Sequence, residues 1–421
     1  LESGEPVKRL LYKDPVSGDV NDKMTDIPFF SGQRLIALRN RGMVDPEKID
    51  HYIARGGYAA ARKVLGGIKR EDVIREVIAS GIRGRGGGGF PTGLKWEAGR
   101  KAAEEREEEI YVACNADEGV PGAFAARTIL ETDPHSVIEG MLIGAYAVGS
   151  EEGHIYIRNE YSLALRRLNM AISQARAYGL LGEDILGSGM RFDIRIHRGA
   201  GAFVCGESSA LIASMAGKPG EPRAKYVHSA EYGFRDKPTV LNNVETWAAI
   251  PEILSRGAEW FASIGTGNVS ADPWGGSSGT KIFSLSGDVM NTGLVEVPMG
   301  TTVRRIVEDI GGGVPKSRTF KAFQTGGPPG GCLPASMWDM KLDFDSLLAA
   351  GSMLGSGAIS IMDDRTCMVN IAKSSIDFLM NESCGKCTAC REGLHLMSSI
   401  LHRICDGEGR AGDIERLDEL C

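Results

Sequence analysis

EIYVACNADEG (109–119) reads as a buried strand that runs out into an acidic turn, Asp117-Glu118-Gly119. A helix follows, from about 134 to 148. A second strand, HIYIR (154–158), precedes another helix that extends to about 177. A third, FDIRIH (192–197), runs into Gly199-Ala200-Gly201 and a helix that begins near Glu207. Strands alternating with helices predict a mostly parallel α/β sheet. Ligands of such sheets lie beyond the carboxyl ends of the strands, where these acidic and glycine-rich turns fall.

Outward from this unit the texture changes. Residues 1–30 are polar, with Pro6, Pro15 and Pro28, and read as an arm or linker. Helical spacing covers 46–65 and again 71–78, where Val73-Ile74 and Val77-Ile78 share one helix face. Beyond Gly279, KIFSLS (281–286) and LVEV (294–297) form a hairpin about Asn291-Thr292-Gly293, and Thr301 or Thr302 caps a short helix through 310. Hairpin then helix predicts a small β-grasp module. From Met362 to the end the spacing is helical. The expected organisation is an arm (1–30), an α/β domain (31–275), a β-grasp module (276–362) and a helical domain (363–421).

The whole chain of 421 residues is long enough for two or three domains. Acidic residues outnumber basic ones 55 to 48, a formal charge of −7. That argues against nucleic-acid binding, which needs surplus Lys and Arg. The longest apolar stretch, 141–148, is far short of the roughly 20 residues that span a bilayer. The sequence opens at Leu1 with no signal segment and no initiator Met, which points to a fragment. Glycine stands out at 56 residues, so backbone must approach something closely in several places. The nine cysteines are odd in number, and three fall within seven residues. A thiolate metal site in a reducing cytoplasm fits them better than a disulfide framework.

Those three cysteines, in CGKCTAC (384–390), are the strongest local signal. Spaced at every third residue, Cys384, Cys387 and Cys390 can converge on a cubane iron–sulfur cluster, which takes four Cys ligands. The helix that follows would turn its positive end toward the cluster's negative charge. A zinc site using His395 or another Cys, and a redox CxxC, remain open. Cys367, Cys405 and Cys421 are the candidates for a fourth ligand.

The glycine run contains Gly84, Gly86 and Gly89 in a G-x-G-x-x-G pattern, but a helix precedes it where a dinucleotide fingerprint follows a strand. Such a loop still brings backbone N–H groups up to a phosphate or a planar ring, with Lys95 near enough to neutralise charge. A flexible surface loop is the alternative. Asn115, Asp117 and Glu118 close a buried strand and could hydrogen-bond a heterocycle or ribose; an Asx-type turn is the alternative. The paired Asn242 and Asn243 offer donors and acceptors, and a helix N-cap would explain one of them. No Ser-His-Asp set or HExxH stands out, and His51, His135 and His154 read as structural or exposed.

Six segments in order resemble one family: RGRGGGGFPTGLKW (83–96), CNADEGVPGAF (114–124), GAGAFVCGES (199–208), KPTVLNNVET (237–246), QTGGPPGGC (324–332) and ESCGKCTACREG (382–393). They resemble the NADH-oxidising flavoprotein subunit of respiratory complex I and its relatives in soluble hydrogenases and formate dehydrogenases. The early segment 34–65 is more similar to the flavin subunits of soluble bifurcating hydrogenases. The resemblance implies a Rossmann-like FMN domain, a ubiquitin-like β-grasp module, and a [4Fe–4S] cluster on Cys384, Cys387 and Cys390. It implies FMN or nicotinamide contacts at Gly84, Arg85, Gly86, Gly87, Gly89, Phe90, Lys95, Asn115, Asp117, Glu118, Gly206, Glu207, Asn242, Asn243 and Thr246, with Phe203 beside the flavin. Lys95 and Glu118 are the catalytic candidates. It also implies NAD(H) or NADP(H) as substrate. The partners it implies are a thioredoxin-like [2Fe–2S] subunit, a larger catalytic subunit and, in bifurcating relatives, ferredoxin.

Four departures from the family pattern stand out. The fourth cluster cysteine falls beyond the position of Cys421. Val120 replaces an acidic residue after the DEG segment. Ser208 replaces the second carboxylate of a GEE pair, which removes repulsion toward a ribose 2′-phosphate and leaves NADP(H) open. Ala98 and His228 replace adenine-stacking aromatics. The expected activity is electron transfer between NAD(P)H and the cluster through FMN. The alternatives are a flavin and iron–sulfur conduit that uses no pyridine nucleotide, and a zinc-stabilised scaffold without redox activity.

Overall fold

Two helices, Arg70–Ala79 (α1) and Thr92–Arg106 (α2), lead into the strand Tyr111–Ala116 (β1). The chain then alternates through Ala125–Thr132 (α3), Pro134–Val148 (α4), Glu152–Arg158 (β2), Ser162–Ala177 (α5), Asp193–Gly199 (β3), Ser208–Met215 (α6), Thr239–Asn243 (β4) and Val244–Arg256 (α7). The structure is a computed structural model that describes every residue except 1–6, 15–17, 225, 268–271, 273 and 316. All four strands are parallel, in the order β3-β2-β1-β4. The order reverses between β1 and β4, so the loops leaving them part and open a crevice at their carboxyl ends. Register pairs Asn115 with Asn243 at that point.

Packing explains why β1 and β4 hold still. Helices cover both faces, and β1 is buried except at Asn115. Every residue of α4 but Tyr146 is buried, as expected of a helix that is apolar all round. Its Gly144 lets α7 approach closely: a Cβ there would lie 2.5 Å from the Trp247 ring. Trp247 stacks on Trp96 at 5.5 Å and donates from Nε1 to the Ala113 carbonyl at 3.1 Å. This clamp seats α7 against β1 and so fixes Asn243, which caps α7.

A second sheet follows, built from Thr280–Gly287 (β5), Gly293–Pro298 (β6), Phe320–Thr325 (β7), Cys332–Pro334 (β8) and Ala358–Asp363 (β9). Its order is β8-β7-β9-β5-β6, and only the central pair β9–β5 is parallel. Thr302 caps the helical segment after β6, accepting from Arg305 N–H at 3.3 Å. The segment continues as a π-helical turn over Ile306–Ile310, whose Ile306, Val307 and Ile310 fill the core of this sheet.

Buried charges tie the second sheet to the rest of the chain at two places. Lys281, on β5, pairs with Glu245 in the first turn of α7 and donates to the carbonyls of Ile282 and Ser356 at 2.9 and 3.0 Å. Glu296, on β6, accepts from the N–H groups of Ile36, Ala37 and Leu38, each at 2.9 Å, and so pins the incoming chain. Both carboxylates are satisfied, as a buried charge must be.

Some expectations need correction. Helical spacing across 46–65 resolves into two short helices, Ile49–Ala54 and Ala59–Leu65, broken at Tyr58, which is left-handed at φ 60°. Within 1–30, Pro28–Ser31 is a helical turn docked on the second sheet; a Cβ on Gly293 would lie 2.8 Å from the Phe29 ring. At the carboxyl end, Met368–Glu382 (α8), Thr388–Cys405 (α9) and Asp413–Leu420 (α10) are helical as read. Among the described residues, no helix is long and apolar enough to cross a membrane.

Candidate functional site

The crevice at β1 and β4 opens into a cleft of about 740 Å³. One wall is the glycine loop at Gly86, Gly87 and Gly88; another is the acidic turn at Asp117 and Glu118 with Phe203, Gly206 and Glu207. Gly326, Gly355 and Ser356, from loops of the second sheet, close a third side. Cys384, Cys387 and Cys390 line the same cleft. A smaller cavity of about 380 Å³ shares Gly86, Gly88, Asn115, Gly206 and Asn243 with it and extends past Gly84, Gly89, Phe90, Lys95 and Asn242. The fold therefore gathers the segments singled out in the sequence around two connected spaces.

Two expected contacts take a different part. Arg85 and Thr246 line neither cavity. The buried guanidinium of Arg85 donates to the carbonyls of Arg83 (2.7 Å), Ser278 (2.6 Å) and Thr280 (2.9 Å), and its backbone N–H reaches Thr246 Oγ1 at 2.9 Å. Burial lowers its pKa to about 10. Both residues brace the glycine loop from behind. Positive φ and close approach explain the glycines: Gly87 has φ +121°, and a Cβ on it would lie 3.2 Å from the Gly355 backbone. At Gly86 a Cβ would lie 3.2 Å from that of Asn243.

The two asparagines do what the alternatives anticipated. Asn115 Oδ1 accepts from Asp117 N–H at 3.0 Å, an Asx turn, while its Nδ2 donates to Gly206 O at 2.8 Å and ties the two turns together. Asn243 Oδ1 accepts from Glu245 N–H at 2.9 Å as the α7 cap. Asn242 satisfies both ends of its amide when Oδ1 accepts from Trp96 Nε1 at 2.9 Å and Nδ2 donates to Leu241 O at 3.2 Å.

The ionisable groups differ in their freedom. Asp117 Oδ1 accepts from Arg158 Nη1 at 3.0 Å, whereas Oδ2 is buried without a hydrogen-bond partner. Burial raises this carboxyl to about 6 despite Arg158. Glu118 accepts from the N–H groups of Ala126 and Arg127 at 3.1 and 3.2 Å, so its charge is held at the start of α3. Burial raises its pKa and those N–H bonds oppose the rise. Lys95 Nζ donates to Leu241 O at 2.8 Å, and burial lowers it to about 8. An anion in the smaller cavity would find this ammonium with its charge uncompensated.

The cysteines stand at the cleft's outer end. All three are exposed, whereas Cys114 and Cys205 are buried. Cys387 is the N-cap of α9. Gly385, at φ +73°, turns the loop, and its carbonyl accepts from Arg391 Nη1 at 2.6 Å. Among the described residues, no three His, Cys, Asp or Glu side chains gather around a point that would suit a single metal ion. Three soft thiolates, on the loop at Cys384 and Cys387 and in the first turn of α9 at Cys390, suit a larger anionic cluster. The unpartnered Asp117 oxygen and the glycine cradle likewise suit a large polar ligand in the cleft.

Sequence reasoning missed several members of this site. Gly326 and Pro329 line the cleft and belong to the segment 324–332, whose position there has no local signal. A Cβ on Gly327 would run into Val120, so the residue that departs from the family pattern packs against the second sheet. Arg158, the partner of Asp117, sat unremarked at the end of a strand.

Comparison with known proteins agrees with this arrangement. The profile of the Nuo51 FMN-binding domain matches residues 77–252, and that of the NADH-ubiquinone oxidoreductase-F iron–sulfur binding region matches 370–421. The chain is 52% identical to the NADP-reducing hydrogenase subunit HndC of Solidesulfovibrio fructosivorans, over 92% of this chain and 76% of that protein. It is 47% identical to the F 2 subunit of NADH-quinone oxidoreductase in Rhizobium meliloti, over 92% and 89%. With the F subunit of the same enzyme in Escherichia coli the identity is 41%, over 92% and 84%. The solved NAD+-reducing [NiFe]-hydrogenase in its air-oxidised state superposes with a TM-score of 0.76 at 33% identity, over 92% of this chain. The chain spans 61% of the length of that hydrogenase chain. Profiles, identities and the shared cleft agree: the chain belongs to the family of FMN- and [4Fe–4S]-binding flavoprotein subunits of NADH dehydrogenases and related hydrogenases, and is an oxidoreductase subunit of that type.

Proposed function

We propose that this chain passes electrons between NAD(P)H and its [4Fe–4S] cluster through FMN, as the flavin module of a larger assembly. One observation carries the reading: the glycine loop and the cysteine triplet line a single cleft, so a flavin on one and a cluster on the other would be neighbours. When bound, FMN supplies exchange between two-electron and one-electron chemistry. The protein supplies orientation and charge. Backbone N–H groups at Gly84 to Gly89 approach a phosphate or ring, Lys95 neutralises an anionic group, and Phe203 walls the cleft. Asp117 Oδ2 is placed to accept from a ligand N–H or O–H. The α9 N-terminus favours the cluster's negative charge.

The order of the second sheet, a hairpin whose first strand pairs in parallel with the last, supports reading 276–362 as a ubiquitin-like β-grasp module. Residues 31–275 are then the nucleotide and flavin domain, and 363–421 the helical iron–sulfur domain. The relatives are subunits of larger assemblies, and the family resemblance supports a thioredoxin-like [2Fe–2S] subunit and a larger catalytic subunit as partners, with ferredoxin as a further acceptor if the complex bifurcates. NADP(H) is a second reading, carried by Ser208: it lines the smaller cavity beside His228, where a carboxylate would repel a 2′-phosphate.

The test is anaerobic titration of the purified holoprotein with NADH and then NADPH. Bleaching of the flavin absorbance by either supports the proposal, and their relative rates decide between the nucleotides. No bleaching with either, but reduction by a partner subunit, would replace it with a conduit that uses no pyridine nucleotide. Zinc in place of iron and flavin on elemental analysis would replace it with a scaffold.

A further inference from the structure

We infer that Glu382 is a positioning residue: it latches the cysteine loop to the turn that walls the flavin cleft, and thereby sets the gap that electrons cross between the two. Glu382 is the last residue of α8 and stands two positions before Cys384. Its Oε2 accepts from the backbone N–H of Phe203 at 2.8 Å. One turn earlier on α8, Phe378 meets the Phe203 ring edge-on, with centroids 5.1 Å apart. Phe203, Glu382 and the three cysteines all line the larger cleft.

The Phe203 end of this latch is firmly seated. A Cβ on Gly119 would lie 3.1 Å from Phe203, and Asn115 holds the same turn through Gly206 O. The α8 end is not. No residue of α8 is buried, and its link to the second sheet, Gln324 Nε2 to Ser375 Oγ, is long at 3.4 Å. Among the described residues, the cysteine loop has one other polar tie to the first domain, Lys386 to Glu221 at 3.4 Å, with both partners about half exposed. Exposed pairs of this kind hold little. Glu382 therefore carries most of the polar connection between the flavin turn and the thiols. What the geometry asks of it is an acceptor oxygen aimed at the Phe203 N–H, which an amide also offers.

This inference rests on the proposed placement of flavin and cluster, and its test separates the two. In the holoprotein, hydrogen exchange at the Phe203 amide is compared among the parent, Glu382→Ala and Glu382→Gln. Exchange is expected to rise roughly tenfold or more in E382A, as for a lost hydrogen bond to a charged acceptor, and to stay within a few-fold of the parent in E382Q. In the same proteins, freeze-quenched EPR follows cluster reduction by NADH and stopped-flow follows the flavin. Overall, one NADH reduces two clusters and yields NAD+ and one proton. The ratio of cluster rate to flavin rate is expected to fall about tenfold or more in E382A, because small misplacements slow a positioned transfer, and to recover in E382Q. Unchanged Phe203 exchange in E382A, or looser exchange with an unchanged rate ratio, overturns the inference. Should E382A fail to accumulate, Phe378→Leu must raise Phe203 exchange by a smaller factor, and parental exchange there overturns it equally. Failure of the flavin to bleach rejects the proposed function and leaves the exchange result standing.

Discussion

The cleft has two unlike sides. On the first-sheet side, β1 is buried between helices, α4 is almost wholly enclosed, and the buried Glu245 of α7 is paired with Lys281 of the second sheet. On the cysteine side, α8 buries none of its residues and α9 only Ser398, Ile400 and Leu401. The flavin side is held by packing over a large core; the thiol side is held by a few polar contacts. Precision at the glycine cradle is thus built into folding itself, whereas the cysteine helices depend on local links and can be altered without unfolding the rest.

The largest break in this contrast comes from Lys281→Met. It strands Glu245 as a buried charge between the two sheets and should destabilise the protein by about 3–5 kcal/mol. Denaturant unfolding checks this, and adding Glu245→Gln should recover much of the loss. Gly89→Ala comes next. Gly89 has φ +60°, and its new Cβ would meet the Phe344 ring at 2.7 Å. Strain and overpacking together predict roughly 2–4 kcal/mol, with weaker FMN retention on gel filtration. On the loose side, Asp377→Ala removes the acceptor of Ser398 Oγ (2.6 Å) and His402 Nε2 (3.0 Å) that joins α8 to α9. About 1 kcal/mol is expected, confined to exchange rates in those helices, with the first sheet unmoved.

The last effect is a slope in pH rather than a loss at one pH. The Asp117 carboxyl is raised to about 6 in the folded, ligand-free protein, against roughly 3.9 when unfolded. Between these values the native state binds more protons, so stability falls as pH rises through the window. Asp117→Asn should flatten that slope, measured by denaturant midpoints from pH 4 to 7.

The two sides also differed in how plainly the sequence announced them. β1 and β2 were legible because a strand buried on both faces is nearly continuous in apolar residues, and β3 because Ile194 and Ile196 alternate with polar residues. β4 was not: it has five residues and ends in two asparagines that look like a loop. Helix α2 was hidden behind the glycine motif, since GRKAAEER shows charge before it shows a face. The last three strands of the second sheet escaped because β8 has three residues, a glycine- and proline-rich turn parts it from β7, and the helix Phe344–Ala349 parts it from β9. Local chemistry was easier to read than placement. The Asx turn at Asn115 and the cap at Asn243 follow from neighbours in the chain, whereas the support role of Arg85 depends on Thr246, Ser278 and Thr280, far along it.

The unequal burial of the cysteines gives the protein a built-in gauge of its own loading. Cys114 lies within β1 with its thiol pushed far up by burial, and Cys205 is enclosed too, so alkylating reagents should pass both by. The remaining seven lie open to solvent, three of them the triplet. Intact-mass spectrometry after brief iodoacetamide treatment should therefore find about three fewer adducts once iron and sulfide are installed, a readout that needs neither a nucleotide nor a partner.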